Sequence, residues 1–323
     1  MGRGNNANGG DEYSLGLRAA WLHYAGGLTQ AAVARKLRLT SVKTHRLIAR
    51  AVADGAVKLS IDGDIIECLE MEAALSERYD LQVCEVAPDL AEPGLPLRAL
   101  GIAGASYMAR VIDQSGGGPI GLGHGRTLAA AVGELPQRAG DKTRFVSLLG
   151  GLTRNFAANP HDVMYRIAER TESPAHVMPV PFCANSVHDK SILLAQRGVR
   201  EVFEMAQSAP IKLVGLGTVD TEAQLVRAGM IDQSELAGIV AAGAVGEVLG
   251  HFFDADGQQV ATPLDGRTLT ISLLENTGDD ELVAIAGGVD KAASIAAVLE
   301  SRKLTGLIID EATSRRILGR PAA

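Results

Sequence analysis

The sequence predicts an α/β protein, with a small winged helix-turn-helix at its N-terminus and a larger body on a mostly parallel sheet. Three observations carry this. Two short helical patterns before residue 54 each start at a threonine suited to cap them. From about residue 97, short apolar runs alternate with helical patterns. Four of those runs end in glycine-rich turns, where sheets of this class place their ligands.

The chain has 323 residues, enough for about two domains. Residues 1–10 (MGRGNNANGG) are expected to be a disordered tail; they lack the apolar core of a secretory signal. Residues 11–66 form the head, 67–96 a helical connector and linker, and 97–323 the body. Hydrophobic residues are 46% and charged residues 21%, which fits packed domains and excludes long disorder. No stretch approaches the ~20 apolar residues of a membrane span, so a cytoplasmic protein with no membrane partner is expected. Cys68, Cys84 and Cys183 lack metal or redox spacing. They argue against a disulfide framework or structural zinc, and read as buried small hydrophobes in a reducing compartment.

Net charge is −7, yet its distribution is uneven. Residues 1–60 carry nine Lys+Arg against three acids, while the remainder carries 22 against 35. A basic head can neutralise DNA phosphates; the acidic body would be repelled by them. A solvated basic helix with no partner is the alternative.

In the head, Leu15, Leu17, Ala20, Trp21 and Tyr24 form a helical stripe that Gly26-Gly27 ends, with Trp21 expected in the core. Thr29 caps a second helix with Ala32, Val33 and Leu37 inward, followed by a turn at Arg38-Leu39. Thr40 caps a third helix that Asp54-Gly55 stops. Its inner face is Thr44, Leu47, Ile48 and Ala51. Ser41, Val42, His45, Arg46 and Ala49 face outward, where a major groove would meet them. Gln30, Lys43 and Arg50 lie nearer the phosphates. Ala56–Ile66 reads as a hairpin wing around Asp62-Gly63. A tri-helical protein-interaction module is the alternative, which the basic face and wing disfavour.

In the body, strands are expected at 119–123, 145–149, 176–182, 211–215, 245–254, 269–274, 282–286 and 306–309. Helices fall between them. The loop Gly121–Thr127 joins a strand to a helix and offers Gly123, Gly125, Arg126 and the Thr127 hydroxyl to a phosphate. It lacks the lysine of a P-loop and the third glycine of a dinucleotide fingerprint, and a plain tight turn is its alternative. His124 in this loop is a candidate sugar contact. Lys291 opens a helix, where a cation opposes the dipole unless it faces an anionic or carbonyl ligand; a surface lysine is equally consistent. Glu247 and Asp254 would accept hydrogen bonds from sugar hydroxyls, or be an edge acid and a turn acid. The histidines show no metal spacing, and no nucleophile elbow is present, so no metal, cofactor or catalytic residue is expected.

Five segments in order resemble the SorC family of bacterial sugar-binding transcription regulators, the DeoR-like group. Leu28–Leu47 resembles its LTQ-x-x-IA-x-x-LGIS-x-x-x-V-x-RLL, and Gly121–Leu128 its G-x-S-W-G-x-T-L loop. Gly243–Asp254 resembles GAVGD-x-x-G-x-F-x-D, Ala286–Lys291 resembles AGG-x-x-K, and Leu307–Glu311 resembles LITDE. The resemblance implies a winged helix-turn-helix joined to a Rossmann-like effector domain of the sugar-phosphate isomerase type, which binds its ligand without turnover. It implies that Gly123, Gly125, Arg126 and Thr127 hold phosphate, while Glu247 and Lys291, with Gly217 and Thr218, face the sugar. It also implies dimers or tetramers on operator DNA. Departures are His124 for the loop tryptophan, Gly123 for its serine, Glu247 for the aspartate, Arg38 for the turn glycine and Thr44 for a valine. Thr44 is nearly isosteric with valine and is expected to cost little if its hydroxyl bonds the preceding turn. The loop changes leave open a sugar, polyol or sugar phosphate; erythritol or its phosphate is one example.

The expected function is therefore a DNA-binding repressor of a carbohydrate or polyol operon. The rival is a sugar-phosphate isomerase or aldolase, with Lys291 as Schiff-base amine and Glu247 as general base. A DNA-binding scaffold with a dead pocket is the third reading.

Overall fold

The structure is a computed structural model that describes residues 7–57, 66–137, 143–152, 163–273 and 280–319. It divides into Met1–Gly63 and Asp64–Ala323. The expected wing falls mostly on residues 58–65, outside the described residues, as does His161.

The first unit contains α1 (Ala7–Tyr24), α2 (Gln30–Leu37) and α3 (Ser41–Ala53). Thr29 and Thr40 cap α2 and α3, accepting from the N–H groups of Ala32 (3.3 Å) and Lys43 (3.2 Å). Arg38 ends α2 in the left-handed region at φ 54°, the conformation for which the resemblance expects glycine. Ala19, Leu22, Val33 and Ile48 form the core.

Three expectations fail here. α1 starts inside the supposed tail. Trp21 is 64% exposed, because small residues occupy the close approach of α1 to α3: Ala19 and Ala20 are buried, and a Cβ on Gly16 would sit 3.4 Å from the Leu47 carbonyl oxygen. Thr44 is buried, but its hydroxyl has no hydrogen-bond partner. An unpaired buried hydroxyl is destabilising by about 1–3 kcal/mol. Thr44→Val is therefore expected to stabilise the head by about 1 kcal/mol. Urea unfolding followed by circular dichroism checks it; a destabilised variant would refute it.

The second unit starts with α4 (Ile66–Tyr79), β1 (Val83–Ala87), α5 (Leu97–Gln114), β2 (Pro119–Leu122), α6 (Arg126–Glu134) and β3 (Arg144–Ser147). There follow α7 (Met164–Thr171), β4 (Ala175–His176), α8 (Val187–Ala195), α9 (Arg197–Gln207), β5 (Ile211–Val214) and β6 (Gly217–Thr218). Then come α10 (Gln224–Arg227), α11 (Gln233–Ala241), β7 (Gly246–Val248) and β8 (His251–Phe253). The chain closes with β9 (Glu281–Ile285), α12 (Ala292–Glu300), β10 (Gly306–Asp310) and α13 (Glu311–Leu318).

Among the described residues a seven-stranded sheet has the order β1-β10-β9-β5-β2-β3-β4, and every pair in it is parallel. Its strands are apolar on both faces. Leu282 and Ala284 of β9 join one core with Met71, Leu75, Ile295 and Val298; Val283 and Ile285 join the other with Leu100, Met108, Leu128 and Val132. The supposed connector is part of this body: α4 enters the first core, and β1 forms the sheet edge along β10.

The expected strand 245–254 is a hairpin instead. Leu249 (φ 51°) and Gly250 (φ 78°) turn β7 back onto β8, and β6 completes a three-stranded antiparallel sheet. The expected strand 269–274 makes only an isolated bridge from Thr270 to Leu149 within the described residues, and 176–182 is a strand only at its start. Cys68 and Cys183 are buried; burial pushes the Cys68 thiol up to about 11 and that of Cys84 up to about 12. No helix of the described residues is long and apolar enough to cross a membrane.

Candidate effector site and nucleic-acid interface

Strand order in the large sheet reverses at β2. From there the chain steps outward to β3 and β4 on one side, while β5, β9, β10 and β1 fill the other. The carboxyl ends of β2 and β5 thus flank a topological switch point, the place where open α/β sheets bind ligands. A pocket lies there. His124, Gly125, Arg126 and Thr127 line it from the β2 loop, Gly215, Leu216 and Gly217 from the β5 loop. Glu247 and Leu249 enter from the hairpin, Gln224 and Leu225 from α10, and Lys291 from the turn after β9.

The β2 loop presents the N-terminus of α6. Gly125 caps it at φ 130°, a conformation that suits glycine alone, and makes no side-chain cap hydrogen bond there. The first helical bond runs from the Ala129 N–H to the Gly125 carbonyl (2.9 Å). The N–H groups before Ala129 therefore have no acceptor within the helix and aim at an anion. Thr127 adds less than expected: its hydroxyl donates to the Ile285 carbonyl (2.6 Å), which leaves its backbone N–H for a ligand.

Lys291 ends a 3-10 turn (Val289–Lys291) and occupies the N-cap position of α12. Its Nζ donates to the Leu216 carbonyl (3.3 Å). Burial lowers its pKa most, and the Arg126 guanidinium lowers it further, against Glu247 and Asp220. Glu247 is 7% exposed, and burial pushes its carboxyl up to about 7 despite the Gly250 N–H (2.6 Å) and the Lys291 charge. Gly217 faces Glu247 across the β6–β7 pair, where a Cβ would overlap Oε2.

The pocket thus gathers His124, Gly125, Arg126, Thr127, Gly217, Glu247 and Lys291. Gly123 lies behind it, its N–H bonded to the Leu213 carbonyl (2.8 Å). Thr218 pairs with Gly246 beside it. Asp254 does not line it: its Oδ1 accepts from the N–H groups of Asp256 (3.0 Å) and Gln258 (2.8 Å), the ordinary role of a turn aspartate. Gly215 and Leu216 lie in one of the glycine-rich turns, whereas Gln224, Leu225 and Leu249 went unread, with no spacing signal to mark them. Among the described residues no group of His, Cys, Asp and Glu is placed to hold a metal.

In the head, Ser41, Lys43, His45, Arg46 and Arg50 are exposed on α3, and Val42 is 81% exposed beside the cap. His45 Nδ1 lies 3.2 Å from Gln30 Oε1, which joins the first residue of α2 to the outer face of α3. Arg46 pairs with Glu12 (3.0 Å) and Arg50 with Asp54 (3.5 Å). Such exposed pairs are worth about 0–1 kcal/mol, so phosphates can replace these partners at small cost.

Residues 63–319 match the family described as "Putative sugar-binding domain". The erythritol catabolism regulatory protein EryD of Brucella abortus is 59% identical over 308 residues, covering 95% of this chain and 97% of that protein. The transcriptional regulator LsrR of Klebsiella pneumoniae is 30% identical, covering 95% and 93%. The full-length sorbitol operon regulator SorC from Klebsiella pneumoniae superposes with a TM-score of 0.74 at 25% identity, covering 94% and 98%. A helix-turn-helix unit, a doubly wound body with a pocket at its switch point and these near full-length matches agree: the chain belongs to the SorC family of sugar-binding transcriptional regulators.

Proposed function

We propose that this protein represses an operon for catabolism of erythritol or a closely related polyol, and that the polyol phosphate is its effector. One observation carries the ligand class. Two cations, Arg126 and Lys291, line one pocket at a helix N-terminus that lacks a side-chain cap, with Glu247 in the same lining. Their mutual repulsion is relieved by an anion, which a phosphate supplies. Glu247 then accepts a hydrogen bond from a hydroxyl, and the Lys291 ammonium donates one to an oxygen. The likeness to the erythritol catabolism regulatory protein supports the polyol.

On this reading the head docks with Ser41, Val42, His45 and Arg46 toward base edges, and with Gln30, Lys43 and Arg50 at phosphates. Two copies on paired half-sites, as a dimer or tetramer in the cytoplasm, complete the assembly. The ligand releases DNA only by binding the DNA-incompetent arrangement more tightly. The test measures affinity for the protein's own promoter by fluorescence anisotropy at several salt concentrations, with and without erythritol and erythritol phosphate. The expected result is steep salt dependence and a loss of affinity of about fivefold or more with the phosphate. Affinity indifferent to both ligands would overturn the reading.

A further inference from the structure

We propose that Asp310 positions the Lys291 turn, and that α13, which Asp310 caps, transmits the state of that turn to α4. This rests on the effector reading above.

Asp310 is 3% exposed at the end of β10. Its Oδ2 accepts from the Gly288 N–H (2.9 Å) and the Thr313 hydroxyl (2.7 Å), and its Oδ1 from the Thr313 N–H (3.0 Å). A Cβ on Gly287 would overlap Oδ2, so this approach requires glycine there. Gly288, at φ 98°, accepts the Lys291 N–H on its carbonyl (2.8 Å) and so closes the 3-10 turn. One buried carboxylate thus holds the backbone that aims Lys291 into the pocket and also the first turn of α13. If Lys291 moves toward a ligand, the turn either carries Asp310 and α13 with it or leaves a buried carboxylate short of a donor, which is the costlier outcome.

Farther along α13, Arg315 pairs with Glu311 (2.7 Å) and with Glu67 in the first turn of α4. At the other end of α4, Arg78 donates to the Ile317 carbonyl (3.2 Å). α13 therefore grips both ends of α4, and it packs on the Lys291 turn as well. In sequence, α4 is the next helix after α3 of the head. The links at the pocket end are buried, whereas Glu67 and Arg78 lie nearer solvent, so these polar contacts at the ends of α4 can exchange partners at small cost while Met71, Leu75 and Tyr79 keep the helix in the core.

The experiment uses the full chain, its promoter duplex and erythritol phosphate. Arg315→Met keeps the apolar stem and removes both ion pairs. It is expected to bind the ligand within twofold of wild type and to bind DNA normally without ligand. The ligand-induced change in DNA affinity, about fivefold or more in wild type, is expected to fall below twofold. Hydrogen exchange is expected to change in α4 on ligand addition in wild type and to stay constant in the variant. Asp310→Asn is expected to weaken ligand binding at least fivefold, with near-normal DNA affinity. An Arg315→Met protein that keeps the wild-type response, or an Asp310→Asn protein that binds ligand normally, overturns the relay alone. A wild type that ignores the ligand overturns the effector reading and the relay together.

Discussion

Glu247→Gln raises the melting temperature at pH 8 and leaves it near wild type at pH 4. The native carboxyl titrates near 7, against an ordinary value of 4.5, because burial disfavours its charge. Between those values the folded state holds a proton that the unfolded state has lost, so stability falls as pH rises through that window. The loss is nearly complete by about pH 8, and the rise from 4.5 to about 7 corresponds to about 3 kcal/mol. Glutamine removes the slope and retains an acceptor for the Gly250 N–H, but forfeits attraction to Lys291. The net gain expected at pH 8 is about 1–3 kcal/mol, or roughly 5 °C for a body of this size. Thermal unfolding at half-unit steps from pH 4 to 8 measures it. Parallel pH profiles for the two proteins would mean that Glu247 titrates like an ordinary surface acid.

Gly217→Ala is expected to abolish the effector response while leaving the head able to hold DNA. The added methyl would overlap the Glu247 carboxylate across the β6–β7 pair, so the hairpin or the acid must shift. Overpacking of this kind is destabilising by about 1–3 kcal/mol, and the shift displaces a carboxylate that lines the pocket. Ligand affinity measured by calorimetry is expected to fall at least about tenfold, which corresponds to about 1.4 kcal/mol. On the proposed function, the promoter is expected to stay occupied by the variant at ligand concentrations expected to release wild type. Unaltered ligand affinity would show that Glu247 does not touch the effector.

The caps of α2 and α3 and the inner face of α3 were readable in the sequence, because Thr29, Thr40 and the spacing of Thr44, Leu47, Ile48 and Ala51 are local signals. Trp21 misled because bulk was equated with burial, whereas closely packed helices select small residues such as Gly16 and Ala19. The parallel sheet was legible as apolar runs separated by helices. Its hairpin was not: Leu249 adopts a turn conformation usually signalled by Asn or Gly, so residues 245–254 read as one strand. His124, Gly125, Arg126 and Thr127 of the glycine loop line one pocket with Glu247 and Lys291. Asp254 does not join them, because an aspartate two residues before Asp256-Gly257 satisfies its own turn first. Gln224 and Leu225 come from a helix of four residues, too short to leave a periodic trace.

The chain has one tryptophan, and Trp21 stands on the outer side of α1 in the head. Light at the red edge of the protein absorption band is therefore taken up by the head alone. Its emission gives this protein a built-in optical probe of the reading domain, with no dye attached and no signal from the body to subtract.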